Sequence, residues 1–193
     1  SNSGLSLSNL EVFLVGYLAT TSGFITLIPD YVGLGNPNLY HPYHIKDSYI
    51  RAVVHMIRAV KQLSKFLPIE NSFQNNDQLF LAGYSEGGYA TLAAQSGIES
   101  NYNEEITITA SFPMAGAYDL AGTMVDHFLS EPEYENPYYV PYVLTSHIWY
   151  YQGLNTDLNM YFEPYWAENL PILYNGTFSG SQINNLLPDN VLD

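Results

Sequence analysis

The chain of 193 residues contains no cysteine. That excludes disulfides and thiolate metal sites and leaves the redox compartment open. Basic residues are scarce: five Lys and Arg stand against 19 Asp and Glu, for a formal net charge of -14. All five, Lys46, Arg51, Arg58, Lys61 and Lys65, fall within twenty positions, and residues 101–193 carry twelve acids and no Lys or Arg. A surface of that sign repels phosphate backbones and anionic headgroups. Nucleic-acid binding rests on neutralising phosphates, so the charge argues against a nucleic-acid partner and leaves neutral or cationic ligands. No apolar run reaches the roughly 18 residues of a membrane helix, and the first residues lack the basic, apolar, small-residue order of a signal peptide.

What is present suffices for a packed core. The chain is 47% hydrophobic with 18 tyrosines, a composition and length that fit one globular domain rather than a disordered linker. Ser8-Asn9-Leu10-Glu11 fits a capping box, and the apolar run behind it predicts a helix over 9–21 that stops near Gly23. Phe24 to Ile28 reads as a short, fully buried strand, and residues 31–44, rich in Gly, Pro and Asn, as a loop. From Lys46 to Phe66, polar Arg51, His55, Arg58, Gln62 and Lys65 recur at helical spacing opposite Ile50, Val53, Ile57 and Val60, which predicts an amphipathic helix. Gln78 to Ala82 then reads as a strand, Gly87 to Ser96 as a small-residue helix and Ile106 to Phe112 as a third strand. That alternation predicts an α/β fold, a parallel sheet with flanking helices. Beyond Asp119 the texture changes to Tyr-, Pro- and Asn-rich sequence, read as a helical or irregular layer.

The segment Gly83-Tyr84-Ser85-Glu86-Gly87 places Gly-x-Ser-x-Gly between a predicted strand and a predicted helix, the context of a nucleophile elbow. A serine on so sharp a turn takes a strained backbone conformation that lifts its hydroxyl out at the end of the sheet. Gly83 and Gly87 are expected to flank it because side chains there would collide. The amino end of the following helix points at Ser85, so the backbone N–H of Glu86 is expected to donate to the oxyanion formed when the serine attacks an acyl carbon. The Glu86 carboxylate has no role in this reading.

These residues resemble the elbow of the α/β-hydrolases. Ile28-Pro29-Asp30-Tyr31-Val32-Gly33-Leu34-Gly35, followed by His41-Pro42-Tyr43, resembles the corresponding segment of the bacterial and fungal secretory lipase and esterase branch. Ala115-Gly116-Ala117-Tyr118-Asp119-Leu120 is similar to the strand end from which that branch inserts its lid. The resemblance implies an α/β-hydrolase core over residues 1–119 and a lid over 120–193. It implies hydrolysis of a small-molecule carboxylic ester or lipid through a serine acyl-enzyme, without metal or organic cofactor. It also implies a secreted, periplasmic or cell-surface location. Tyr31, His41 and Tyr43 become candidates for the substrate wall, and Asp30 and Asp119 are expected to bond turn amides.

A serine hydrolase also needs an orienting acid and a histidine base, following the nucleophile in that order in this fold. After Ser85 only His127 and His147 remain, both in the lid-like stretch, so neither acid nor base is assigned. The resemblance further places a strand and a His-Gly loop ahead of the first helix. The sequence therefore reads as the middle of a hydrolase, with an incomplete sheet, apolar open edges, and association either with the rest of the same protein or with a second copy. A serine peptidase of the same fold, and a non-catalytic module that holds ligands on its Tyr-rich layer, stay open as alternatives.

Overall fold

The computed structural model describes residues 10–34, 36, 39–67, 73, 76–130, 133–188 and 190. The expected capping box at Ser8 and Asn9, and Gly35, lie outside these residues. Helix α1 spans Leu10–Thr21 and ends as expected at Gly23, whose φ is 89°. There the amides of Gly23 and Phe24 donate to the carbonyls of Thr20 and Ala19 at 3.1 and 3.0 Å, the paired closure of a Schellman motif.

Helix α2 spans Lys46–Phe66, as its periodicity predicts. Its apolar face, Tyr49, Ile50, Val54 and Ile57, meets Ala90, Ala93 and Ile98 of helix α3 (Glu86–Asn101) in the main core, with Ile106 beneath. The small residues of α3 set how closely the two helices approach. A Cβ on Gly97 would lie 2.6 Å from the Ile50 side chain, so only glycine lets the helices meet there.

Strands β1 (Phe80–Tyr84) and β2 (Ala110–Met114) pair in parallel, Phe80 opposite Ala110 through Tyr84 opposite Met114, with α3 as their crossover. The ladder continues one step past β1, where the Ser85 amide donates to the Met114 carbonyl at 2.9 Å. Because Met114 turns toward β1, Pro113 turns its missing N–H the other way, and the proline costs the ladder no hydrogen bond.

Three expectations are corrected. Both strands start later than predicted, at Phe80 rather than Gln78 and at Ala110 rather than Ile106. Ile106 is buried, but at the foot of α3 rather than in the sheet. Phe24 to Ile28 is not a strand. Among the described residues it makes no backbone ladder with β1, although Phe24 packs edge-on against Phe80 at 5.6 Å. Its apolar run read as buried, yet Phe24, Ile25 and Ile28 are about half exposed, because no described element covers them. Among the described residues no further strand pairs with either outer edge of the two-stranded sheet, and one face is bare as well: exposed Phe80, Ala82 and Tyr84 alternate with half-buried Leu81 and Gly83, and Phe112 and Met114 are exposed beside them.

After β2 follow helices α4 (Thr123–Ser130), α5 (Tyr139–Tyr150), α6 (Pro164–Leu173) and α7 (Gly180–Asn184), with a short 3-10 turn at Leu158–Met160. Ile148, Leu158 and Ala167 form a small core of their own. Helix α5 docks on the loop before α2. Its fully buried Thr145 and Ser146 meet that loop: the Tyr40 hydroxyl bonds Thr145 Oγ1 at 2.9 Å, and the Tyr43 amide donates to Ser146 Oγ at 3.1 Å. The Tyr43 and Tyr142 rings stack at 4.5 Å, 4° from parallel. Among the described residues no helix is long and apolar enough to cross a membrane.

Candidate active site

Ser85 sits between the end of β1 and the start of α3 with φ 56° and ψ -118°. That region is forbidden to most side chains and is held only where the surroundings over-determine it. The ladder bond to Met114 fixes its amide, and its carbonyl accepts the first helical bond, from Tyr89, at 3.1 Å. The glycines around it divide differently from expectation. A Cβ on Gly83 would lie 2.1 Å from the Gly87 carbonyl oxygen, and one on Gly88 would lie 2.2 Å from that of Met114. At Gly87 itself a Cβ would meet nothing within 4 Å. The close approaches are therefore strand to helix at Gly83 and helix to second strand at Gly88, and Gly87 borders open space.

The exposed Ser85 opens on a cleft of about 360 Å³. Tyr43, His44, Glu86, Ala115 and Ala117 form one side. Leu120 in the turn before α4, Met124, Val125, Phe128 and Leu129 of α4, and Tyr134 with Val140, Val143 and Leu144 of α5 form the apolar opposite side. Glu86 is the first residue of α3, so its amide has no acceptor within the helix and faces the turn that carries Ser85. A second hollow, of about 470 Å³ between the start of α5 and α7, is lined by Asn136, Tyr138 and Asn184 among others. It contains none of the residues with positive φ.

The expected substrate residues separate. Tyr43 lines the cleft. His41 does not: it is 5% exposed, with Nδ1 2.7 Å from the Val32 carbonyl and Nε2 2.8 Å from Glu86 Oε1. Tyr31 packs edge-on against Tyr49 at 4.8 Å and stacks over His41, and burial pushes its hydroxyl up to about 12. His41 and Tyr31 support the wall rather than form its surface. Gly33, at φ 88°, lets the intervening loop fold onto His41, since a Cβ there would lie 2.5 Å from the His41 amide nitrogen.

The Glu86 carboxylate, expected to be idle, accepts from Tyr49 Oη at 2.8 Å as well as facing His41. Burial, followed by this neighbouring carboxylate, pushes the Tyr49 hydroxyl far above its ordinary range. Asp119 bonds turn amides as expected: it accepts from the amides of Gly122 and Thr123 and from the Thr123 hydroxyl at 2.9–3.0 Å, and these bonds hold its carboxyl below the ordinary value. Asp30 is exposed at the end of the 24–30 segment. His147 turns Nδ1 to the Val143 carbonyl within α5, and His127 lies exposed on α4. Among the described residues, Ser85 Oγ makes no hydrogen bond to a histidine, and no cluster of metal-ligating side chains occurs.

Sequence reasoning missed His44 and the α4 wall. The spacing of Met124, Val125, Phe128 and Leu129 marks one helical face and could have shown the wall. Nothing in the letters signals the left-handed backbone of His44.

The geometry agrees with what the chain is similar to. A protein from Legionella pneumophila with a provisional hydrolase assignment superposes with a TM-score of 0.75 at 28% identity, over 91% of this chain and 47% of that one. The rice cell wall degrading esterase LipA from Xanthomonas oryzae superposes with a TM-score of 0.65 at 24% identity, over 82% of this chain and 42% of that one. A ligand-bound form of the same esterase gives 0.61, over 77% and 39%. The chain thus spans just under half the length of these structures, and its parallel strand pair with flanking helices is an incomplete α/β-hydrolase core. No curated protein sequence is significantly similar to it. The secretory lipase family matches residues 3–126, which include the strained serine turn and both strands. The chain belongs to the secretory lipase family.

Proposed function

We propose that this chain carries the nucleophile, half of the oxyanion hole and the acyl cleft of a secreted carboxylic ester hydrolase. The observation that carries the reading is Ser85 at φ 56° and ψ -118° between strand and helix, opening on an apolar cleft. In this reading Ser85 Oγ attacks the ester carbonyl carbon and gives up its proton to a base. The Glu86 amide donates to the developing oxyanion, the alcohol leaves, and water then frees the acid from the acyl-serine. Residues from about Leu120 onward act as the lid, α4 and α5 supplying the apolar surface along which an uncharged acyl chain lies. The cleft holds no Lys or Arg, which favours neutral esters over anionic ones.

The base, the orienting acid and the second oxyanion donor come, on this reading, from polypeptide outside this sequence, in keeping with relatives about twice as long. The same polypeptide would cover the bare face of the sheet. Labelling of Ser85 by a fluorophosphonate, in the whole protein and in this chain, tests the proposal. Label on Ser85 of the whole protein, abolished by Ser85→Ala, supports it. An inert Ser85 there favours the second reading, a hydrolase-like binding module.

A further inference from the structure

In the turn after β1, two of the three main-chain groups at the nucleophile are fixed by backbone bonds. The Ser85 amide donates to the Met114 carbonyl at 2.9 Å, and the Ser85 carbonyl accepts from the Tyr89 amide at 3.1 Å. The third, the Glu86 amide, meets no acceptor among the described residues, as an oxyanion donor requires. The backbone beyond it is the least stiff available. Gly87 and Gly88 follow directly, Gly87 borders open space, and glycine leaves a chain its widest conformational freedom. An amide so placed is preorganised only if something else holds it.

The Glu86 side chain meets that need. Its Oε1 lies 2.8 Å from His41 Nε2 and accepts from Tyr49 Oη at 2.8 Å. Both anchors are themselves held. The buried His41 ring reaches the Val32 carbonyl through Nδ1 at 2.7 Å and stacks on Tyr31. Tyr49 is buried in the main core, and its hydroxyl also receives the amide of His44, a residue at φ 56° whose ring nitrogens are buried and unpaired. The carboxylate therefore joins the first residue of α3 to α2 and to the loop before α2, one peptide away from the proposed nucleophile.

We propose that His41 is a positioning residue that acts through the Glu86 carboxylate to hold the Glu86 amide on the oxyanion, with Tyr49 as the second support. The proposal rests on the ester-hydrolase reading. A donor held in advance stabilises the transition state fully, and one that must be ordered during the reaction stabilises it less. Acylation and deacylation both pass through an oxyanion. Loosening the donor therefore lowers kcat and kcat/KM together and leaves KM in place, the mark of an interaction made only in the transition state.

The test compares two substitutions in the whole protein. An Asn side chain ends where Nδ1 of the imidazole sits, and a Gln side chain where Nε2 sits. His41→Asn thus keeps the bond to Val32 and loses Glu86, whereas His41→Gln keeps the bond to Glu86 and loses Val32. Hydrolysis of p-nitrophenyl butyrate is measured per active site, with sites counted by fluorophosphonate titration of Ser85 to completion, so that unfolded molecules do not enter. Removing an oxyanion donor outright costs about 10²–10³ in kcat. The expected result for His41→Asn is a smaller loss, about tenfold to a hundredfold in kcat with KM within about twofold. His41→Gln should recover most of that loss. If His41→Asn yields no folded sites, Tyr49→Phe, which removes the second support at nearly constant volume, takes its place with the same expected loss. Equal kcat in the two His41 variants overturns the proposal, as does a loss carried by KM alone. If either occurs while Ser85 of the parent is labelled, only the positioning role falls. If Ser85 of the parent is inert, the hydrolase reading falls, and this proposal with it.

Discussion

His41 Nε2 lies 2.8 Å from Oε1 of Glu86, the residue next to the proposed nucleophile, while the other ring nitrogen of His41 faces the Val32 carbonyl at 2.7 Å. A carbonyl can only accept, so Nδ1 must donate to it. Nε2 then faces a carboxylate that already accepts from Tyr49. The His41 ring thus bridges the Val32 carbonyl and the Glu86 side chain. In this way the His-Pro-Tyr loop is tied to the first turn of α3, and the Glu86 amide is held in place through its own side chain.

Glu86→Ala should therefore destabilise the fold although it leaves the proposed oxyanion donor intact. It strips the acceptor from Tyr49 and His41, which are 1% and 5% exposed. Orphaning two such groups costs about 2–4 kcal/mol. Urea unfolding followed by tryptophan fluorescence reads this as a drop in midpoint. An unfolding free energy changed by less than about 0.5 kcal/mol would mean that water replaces the carboxylate.

The glycines of the elbow separate by experiment as well. Gly83→Ala and Gly88→Ala each drive a Cβ into a carbonyl oxygen at just over 2 Å, and overpacking against backbone costs about 3 kcal/mol or more. Gly87→Ala meets open space in a first helical turn, where alanine gains up to about 1 kcal/mol over glycine. The expected order of thermal midpoints is Gly87→Ala at or above the parent and the other two far below. A collapse of Gly87→Ala would show that the turn needs glycine for a reason other than space.

Much of this was legible beforehand, for identifiable reasons. Helix α2 appeared to the residue because one face meets the core and the other water, and the elbow appeared because Gly83 and Ser85 carry its geometry in their side chains. Phe24 to Ile28 misled because an apolar run reports what a segment would bury, and the surface that would bury it is not among the described elements. Glu86 and His41 misled because a carboxylate and a ring forty-five positions apart reveal their pairing only when the loop folds back. His44 left no trace at all, since neither a positive φ nor an unpaired nitrogen can be read from composition or spacing.

His44 also gives the stability a pH dependence of known sign. Burial, its largest influence, lowers its pKa from the ordinary 6.5 to about 4, against an opposing pull from Glu86 and with smaller like-signed effects of His147 and His41. Below pH 6.5 the unfolded chain takes up a proton that the folded ring refuses. The contribution is complete above about 6.5 and is lost as pH falls toward about 4. A shift of that size corresponds to about 3 kcal/mol over the window. Asp119 and Glu105, whose carboxyls are held low by Thr123 and Arg58, lose their contributions only in more acid solution. Unfolding free energies of the parent and of His44→Asn, compared between pH 7 and pH 4, should converge as the solution is acidified. Parallel curves would show that His44 is protonated in the fold.

The bare sheet face makes a prediction about this chain on its own. Phe80, Tyr84, Phe112 and Met114 project from one side of the strand pair at 41–65% exposure, with half-exposed Phe24 packed against Phe80. A contiguous apolar patch of this kind is rare on a soluble monomer and drives association, while a net charge of -14 opposes it. Salt shortens the reach of that repulsion to about 10 Å at 0.1 M and leaves the apolar attraction in place. The isolated chain should therefore self-associate, and more strongly as salt rises. Phe80→Lys with Phe112→Lys puts charge on the face without touching the core beneath α3, and should restore a monomer. Light scattering on the chain and on this variant at two salt concentrations reads the result. A parent chain that stays a 21.7 kDa monomer at both salts and unfolds cooperatively would mean that the exposed face needs no cover, and the proposal that further polypeptide packs there would fail.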